Sequence, residues 1–349
     1  MKFLTLLLFP FSVLYDVATR FRNHLYNVGY KRSFEFETNV IAVGNLSVGG
    51  TGKSPMIEYL IRLLHNKYQV ATLSRGYGRK TRGFILAGDT ENANTIGDEP
   101  FQFYRKFKDN IKVAAGEERA LAIPFLLVED EGVEVILLDD AYQHRSVKPG
   151  LNILLTDYNR PFYEDMILPA GRLRESRKGA GRADVIVVTK CPMDLSDVEM
   201  DRIKVRLKDT NEIASVFFAG IRYSEPLPVS GNGKMGEELY LFTGVANPGN
   251  LRQYLSDNYR LVGEKVLADH HRYSEKDIQD ILKSAGEVST GDEVSLVTTE
   301  KDMVKLLSKE LNNLLQGHSV FYIPIETCFL KDGRQFDELV LKSIKSYSN

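Results

Sequence analysis

VGNLSVGGTGKSP, residues 43–55, is the stretch that decides the fold. Four glycines, a lysine and two serines follow an apolar run. Residues 39–43 read as a short buried strand, and Met56, Ile57, Leu60, Ile61 and Leu64 recur at helical spacing. The glycines therefore sit at a strand-to-helix turn. Gly49, Gly50 and Gly52 open backbone conformations closed to other residues and let an anion approach. The loop's N–H groups and the helix N-terminus then face one point, which makes an anion site. Lys53 adds a positive charge there, and the Ser54 hydroxyl can ligate Mg²⁺. Ser47, Val48, Gly49, Gly50, Thr51, Gly52, Lys53 and Ser54 thus form a phosphate-binding P-loop, with Ser47 where the first glycine is usual.

The chain has 349 residues, 43% of them apolar, and a net charge of −2. That is room for one large domain or two ordinary ones, and it gives no basic field for nucleic acid. Cys191 and Cys328 lie far apart without metal-ligand spacing, as expected of buried thiols in a reducing compartment. Phe3 to Tyr15 is an uncharged run of thirteen residues, too short for a bilayer, which takes about 20. A secretory signal lacks its cleavage site here. Phe3, Leu4, Leu7, Leu8, Phe11, Leu14 and Tyr15 form an apolar stripe, and Arg20, Arg22, Lys31 and Arg32 follow where anionic headgroups would lie. The segment is expected to lie on a membrane surface, a core-packed first helix being the alternative.

The first two thirds alternate strands and helices, as a parallel sheet requires. Strands are expected at 40–43, 70–73, 113–115, 135–138, 152–155 and 185–188. Residues 220–238 read as a polar linker. Beyond it come strands at 239–243, 260–266, 294–298 and 320–323, with helices at 248–258, 274–288, 300–315 and 336–347. The expected architecture is α/β: a P-loop NTPase-type parallel-sheet domain with a second, smaller α/β lobe. The divisions fall at 1–35 for the N-terminal segment, 36–222 for the P-loop domain and 223–349 for the second lobe. A cleft between the lobes is the natural place for an active site.

Residues 135–140, VILLDD, are an apolar strand ending in two carboxylates, suited to hold Mg²⁺ beside a P-loop. Asp139 and Asp140 run on into AYQHR, where His144 and Arg145 suit substrate contact or pairing with the acids. SRGYGR (74–79), bearing Arg75, ends another strand at the same sheet edge, where ligands bind. TIGDEP (95–100) sets Asp98 and Glu99 before a helix; by local chemistry alone, Asp98 reads as its cap. LPAGRLRES (168–176) brings two arginines, Arg172 and Arg174, suited to clamp phosphate. In Asp269-His270-His271, one imidazole beside an acid suits proton transfer.

Together these motifs, with LLTD and TTEKD, resemble the tetraacyldisaccharide 4′-kinase family, the lipid A 4′-kinases of Gram-negative bacteria, over nearly the whole chain. Ser47 is itself usual in that family; Ala141 and Tyr142 replace its usual Gly and Phe. The resemblance implies transfer of the ATP γ-phosphate to the 4′-hydroxyl of a tetraacylated glucosamine disaccharide 1-phosphate. This would occur at the cytoplasmic face of the inner membrane, with no obligate protein partner evident. It implies that Lys53 neutralises the β- and γ-phosphates, while Ser54, Asp139 and Asp140 organise Mg²⁺. It further gives Asp98 as the base, with His270 as its partner. Glu99, His144 and Arg172 become contacts to Mg²⁺, sugar or phosphate. Two rivals stand beside it. A P-loop switch GTPase should end a late strand in N-K-x-D, and Thr189-Lys190-Cys191-Pro192 lacks both the Asn and the acid. A non-catalytic membrane-bound nucleotide sensor would need neither Asp98 nor His270.

Overall fold

A computed structural model describes residues 2–229, 234–245, 247–269, 271–288 and 294–346, without the side chains of residues 2–6. The chain divides into two compact units. The first holds residues 1–221 and 327–349, and the second holds 222–326.

The first unit opens with helix α1 (Lys2–Asn27), strand β1 (Asn39–Asn45), α2 (Lys53–Leu64) and β2 (Val70–Ser74). There follow β3 (Ile85–Leu86), α3 (Ala93–Ile96), α4 (Asp98–Phe107), β4 (Ile111–Ala115) and α5 (Arg119–Glu129). Next come β5 (Val135–Asp139), β6 (Leu151–Asp157), β7 (Val185–Thr189), α6 (Asp197–Lys208) and β8 (Ser215–Tyr223). The second unit contains β9 (Leu227–Pro228), β10 (Glu238–Thr243), α7 (Gly249–Asn258), β11 (Arg260–Val266) and α8 (Glu275–Val288). It continues through β12 (Val294–Thr299), α9 (Glu300–Leu306), α10 (Lys309–Leu315) and β13 (Val320–Ile323). Finally β14 (Ile325–Phe329) and α11 (Gly333–Ser343) lead back to the first unit.

The large sheet has the order β14-β8-β7-β6-β1-β5-β2-β4-β3. β1 lies parallel between β5 and β6, so Val43 stands beside Asp139 and Asn45 beside Leu155. This explains the unbroken apolar run of β1. Ile41 and Val43 pack with Met56, Ile57 and Leu60 of α2 on one face; Val40 and Ala42 pack with Ile123 and Leu126 of α5 on the other. A strand covered on both faces has no polar side. The carboxyl ends of β1, β2, β5 and β6 open on one edge, and the chemistry-bearing motifs follow them.

The C-terminal boundary corrects the expected lobe of 223–349. Residues 327–349 belong to the first unit, because α11 buries Phe336 and Val340 in its core, against Phe217 and Tyr59. The expected helix at 300–315 is two, since the Ser308 hydroxyl caps a new start at α10. The expected linker contains the end of β8 and all of β9.

α1 runs through Pro10 without ending. Among the described side chains of α1, Ser12 is the buried one, donating to the Ile167 carbonyl at 3.0 Å and accepting from the Ala170 amide at 2.9 Å. Asn23 donates to Glu175 at 2.7 Å, and Tyr15 to the Arg174 carbonyl at 3.1 Å. Leu7, Phe9, Phe11, Val13, Leu14, Val17 and Phe21 are exposed. The helix is seated by polar groups with its apolar side outward, and that apolar surface is wider than the expected stripe. Arg22 turns inward to the Gln143 carbonyl at 2.8 Å, away from a headgroup role. None of the described helices is long and apolar enough to cross a membrane.

Candidate active site

The P-loop leaves β1 at Asn45. Gly49 and Gly52 adopt φ of +106° and +81°, the left-handed region that favours glycine. Gly52 precedes α2, and no side chain caps that helix. Its first N–H groups are thus left for a ligand at the positive end of the helix dipole. The loop is held from beneath. Asn45 Nδ2 donates to Thr51 Oγ1 at 2.7 Å, and Thr189 Oγ1 donates to the Thr51 carbonyl at 2.9 Å. Lys190, also at φ > 0, bonds the Gly50 carbonyl and Asp157. From the side, Val48 donates to the Arg172 carbonyl at 2.8 Å and Arg174 to that of Leu46 at 2.7 Å. The segment that seats α1 is thereby the segment that frames the P-loop.

Lys53 Nζ stands 3.7 Å from Asp140 Oδ1. Arg174 grips Asp140 through both carboxylate oxygens, at 2.7 and 3.1 Å, and also bonds Asn45. Burial works against the Asp140 charge, but Lys53 and Arg174 hold its pKa down at about 2. Asp139 is in the opposite state. Burial, then the charges of Glu99 and Asp140, push it up to about 7. Its Oδ2 accepts from Ser74 Oγ at 3.2 Å, while its buried Oδ1 has no hydrogen-bond partner. Ser54 Oγ donates to Glu99 Oε1 at 3.3 Å. This collection of hard oxygens around an unsatisfied carboxylate fits a divalent cation of the Mg²⁺ type. Among the described residues, no group of three or more His, Cys, Asp or Glu is placed to hold a metal ion by itself.

Asp98 is not a helix cap: it is the first residue of α4, and Gly97 holds the preceding position at φ +97°. Gly97 and Gly76 let two loops cross closely. A Cβ on Gly97 would meet the Gly76 Cα at 2.9 Å. The TIGDEP and SRGYGR loops are thus locked together at the carboxyl edge. His144 is half-buried, and burial, then the charges of Arg119 and Arg75, lower its pKa to about 4. Its imidazole is neutral at physiological pH. Tyr142 donates to the Gly179 carbonyl at 2.7 Å and lies under the Arg182 guanidinium at 4.7 Å. The hydroxyl that phenylalanine would lack is therefore partnered.

Lys53, Ser54, Glu99, Asp139 and Asp140 come together, and Arg75 and His144 lie on the same edge. The Arg172 side chain is exposed; its backbone serves the P-loop, and the arginine that reaches the acids is Arg174. His270 lies outside the described residues. Sequence reasoning passed over Asn45, Ser74 and Lys190, although each ends or follows a strand beside the P-loop. It also missed Arg119, which is fully buried and binds the Asp139 carbonyl at 3.3 Å.

A phosphate-cradling loop, a lysine and paired carboxylates at one edge of a parallel sheet define a P-loop phosphotransferase. The family model for tetraacyldisaccharide-1-P 4′-kinase matches residues 4–345, and the chain belongs to that family. Its reaction is the phosphorylation of a lipid A precursor at the 4′ position. The tetraacyldisaccharide 4′-kinase of Flavobacterium psychrophilum is 46% identical, covering 99% of this chain and 98% of its own. That of Bacteroides fragilis is 41% identical over 93% of this chain and 89% of its own. A solved structure of LpxK from Aquifex aeolicus in complex with ATP superposes with a TM-score of 0.75 at 27% identity, covering 98% of this chain and 100% of that one.

Proposed function

We propose that this chain transfers the γ-phosphate of ATP, bound with Mg²⁺, to the 4′-hydroxyl of tetraacyldisaccharide 1-phosphate at a membrane surface. One juxtaposition carries the reading: Ser54 Oγ lies 3.3 Å from Glu99 Oε1, so the first turn of α4, which begins at Asp98, adjoins the first turn of α2. The ATP complex of the Aquifex relative supports the choice of nucleotide. Lys53 and the P-loop amides hold the β- and γ-phosphates. Ser54, Asp139, Asp140 and Glu99 hold the ion, which when bound offsets phosphate charge. Asp98 takes the 4′-hydroxyl proton; His270, outside the described residues, is its expected partner. A carboxylate suffices, because phosphoryl transfer needs positioning and charge neutralisation more than early proton removal. Arg75, Arg172 and the neutral His144 face the sugar or its 1-phosphate.

The outward apolar side of α1 lies in the bilayer interface, where an acylated substrate resides. The enzyme is then peripheral at the cytoplasmic face of the inner membrane, beside its nucleotide supply.

Transfer of ³²P from γ-labelled ATP to the lipid in detergent micelles tests the chemistry. The wild type labels lipid; Asp98→Ala lowers the rate by about 10²–10⁴-fold, the range of a lost general base, and Lys53→Ala abolishes it. ATP hydrolysis without lipid labelling would sink the proposal. Leu14→Asp with Phe21→Asp weakens sedimentation with anionic phospholipid vesicles; unchanged sedimentation would refute the interfacial role of α1.

A further inference from the structure

Helices α2 and α4 share a polar seam that begins in the active site and runs away from it. At its start Ser54 Oγ of α2 donates to Glu99 Oε1 of α4 at 3.3 Å. About one turn further along α2 stands Glu58, which is 1% exposed. Its Oε1 accepts from Gln102 Nε2 of α4 at 2.9 Å, and its Oε2 pairs with Lys106 of α4 at 2.7 Å. About a turn further again, Arg62 donates to Glu58 Oε2 at 3.2 Å and lies over the Phe107 ring of α4 at 5.6 Å. Residues 54, 58 and 62 recur along one face of α2, as 99, 102 and 106 do along α4.

Stability does not require a carboxylate at this place. Met56, Ile57, Leu60 and Phe103 of the same two helices already lie in the core. A buried charge is costly even when paired, and an apolar residue of similar volume is often as stable. Register is a different matter. Apolar contact has no direction, so two helices held by it alone can slide. A carboxylate gripped by an amide and an ammonium from the neighbouring helix has one setting. A slip of α4 by about 1.5 Å, the rise of one residue, would stretch both bonds beyond hydrogen-bond range. No side chain caps the start of α4. Its first turn, with Asp98 and Glu99, therefore takes its place from the body of the helix and from the crossing of Gly97 with Gly76.

We propose that Glu58 is a positioning residue for the phosphoryl transfer. It sets α4 against the P-loop helix, and so sets Asp98 and Glu99 against Lys53 and Ser54. The proposal rests on the reading that Asp98 takes the 4′-hydroxyl proton. Gln102, Arg62 and Lys106, the partners of Glu58, all lie on the side away from the P-loop. Losing the grip therefore leaves ATP binding intact and misplaces the base, and an error of about 1 Å costs about 10²-fold in rate.

The test measures kcat and KM for Glu58→Gln, alone and in the Asp98→Ala background, with thermal unfolding to show that each variant is folded. Glu58→Gln keeps the shape and can still accept from Gln102, but gives up the charge that draws in Lys106. Lys106→Met removes the same pairing from the α4 side, so it serves if Glu58→Gln does not fold. Expected are a fall in kcat of about 10- to 100-fold and a KM for ATP within about twofold of wild type. The fall should shrink by about threefold or more once Asp98 is alanine. A folded variant with wild-type kcat, a loss confined to the KM for ATP, or a loss that does not shrink in the Asp98→Ala background would overturn the proposal. If Asp98→Ala itself keeps the wild-type kcat, the reading of Asp98 as the base fails instead. Positioning then stands, through Glu99, if Glu58→Gln still lowers kcat and speeds amide hydrogen exchange over α4 while α2 exchanges as in the wild type. It falls if α4 also exchanges as in the wild type.

Discussion

Two buried aspartates sit at the carboxyl edges of two mostly parallel sheets, and they have been finished differently. Asp302 has every near position filled by a hydroxyl, an amide or the Lys305 ammonium. Asp139 has one serine contact, one unpartnered oxygen and two acids nearby that raise its pKa. A satisfied buried carboxylate rigidifies its surroundings, whereas an unsatisfied one stores free energy that a ligand can release. The difference separates a plug from a binding site more sharply than burial does, since both residues are buried.

Replacing each aspartate by asparagine should therefore act in opposite directions, and this is the largest effect expected. Asp302→Asn leaves the buried Lys305 without its counter-charge and lowers the unfolding temperature; broken buried pairs cost about 3–5 kcal/mol. Asp139→Asn removes an uncompensated charge and raises it. The pH dependence follows from the raised pKa. An acid whose folded pKa lies above its unfolded value favours folding at low pH, and that contribution is lost as pH rises through about 7. The gain from Asp139→Asn is then on the order of a few kcal/mol at pH 8, smaller at pH 5, and gone only below the ordinary carboxylate range. Thermal unfolding at both pH values, without nucleotide or Mg²⁺, decides it. Lipid labelling should fall sharply in the same variant, because stability and function are opposed at such a site. A destabilised Asp139→Asn protein at pH 8 would dissolve the contrast between the two edges.

Much of the first edge was legible. The glycines, Lys53 and Ser54 announce a P-loop by local chemistry, and the apolar run of 135–138 places its two acids at a strand end. What sequence could not give was which neighbour each acid takes. Arg172 and Arg174 are equivalent on paper. The structure leaves Arg172 exposed and brings Arg174 onto Asp140. Asp98 looked like a helix cap because Asp is a favoured one. Gly97 at φ +97° instead places the acid inside the first turn. The return of residues 327–349 to the first unit was hidden because an edge strand and an amphipathic helix carry no mark of which sheet they join. The Asp302 plug was half hidden: Thr299 and Lys305 stand three residues to either side of it, but Thr243 and Gly244 come from the end of another strand.

A middle-sized effect should follow from Arg174→Ala. Asp140 is held ionised by two neighbours, Lys53 and Arg174. Losing the bidentate partner raises its pKa and lets it swing toward Lys53. The kinase rate should fall by about 10–100-fold, as for other partners that orient a metal-binding carboxylate. Arg174→Lys, which keeps the charge, should recover part of the rate. No recovery would mean that Arg174 acts through its forked geometry on substrate rather than by holding Asp140.

The smallest effect concerns Tyr142, a satisfied group standing next to the unsatisfied one. Its hydroxyl is buried and donates to Gly179, and its ring lies under Arg182. Tyr142→Phe keeps the ring and its stacking but orphans one carbonyl. The cost is about 1 kcal/mol, or about 2–4 °C in unfolding temperature for a domain of this size. Because Tyr142 touches neither acid through its hydroxyl, kcat and both KM values should be those of the wild type. A fall in kcat without a fall in stability would show that the hydroxyl sets the turn carrying Asp139 and Asp140. The poise of that edge would then depend on a bond three residues away from its unpartnered oxygen.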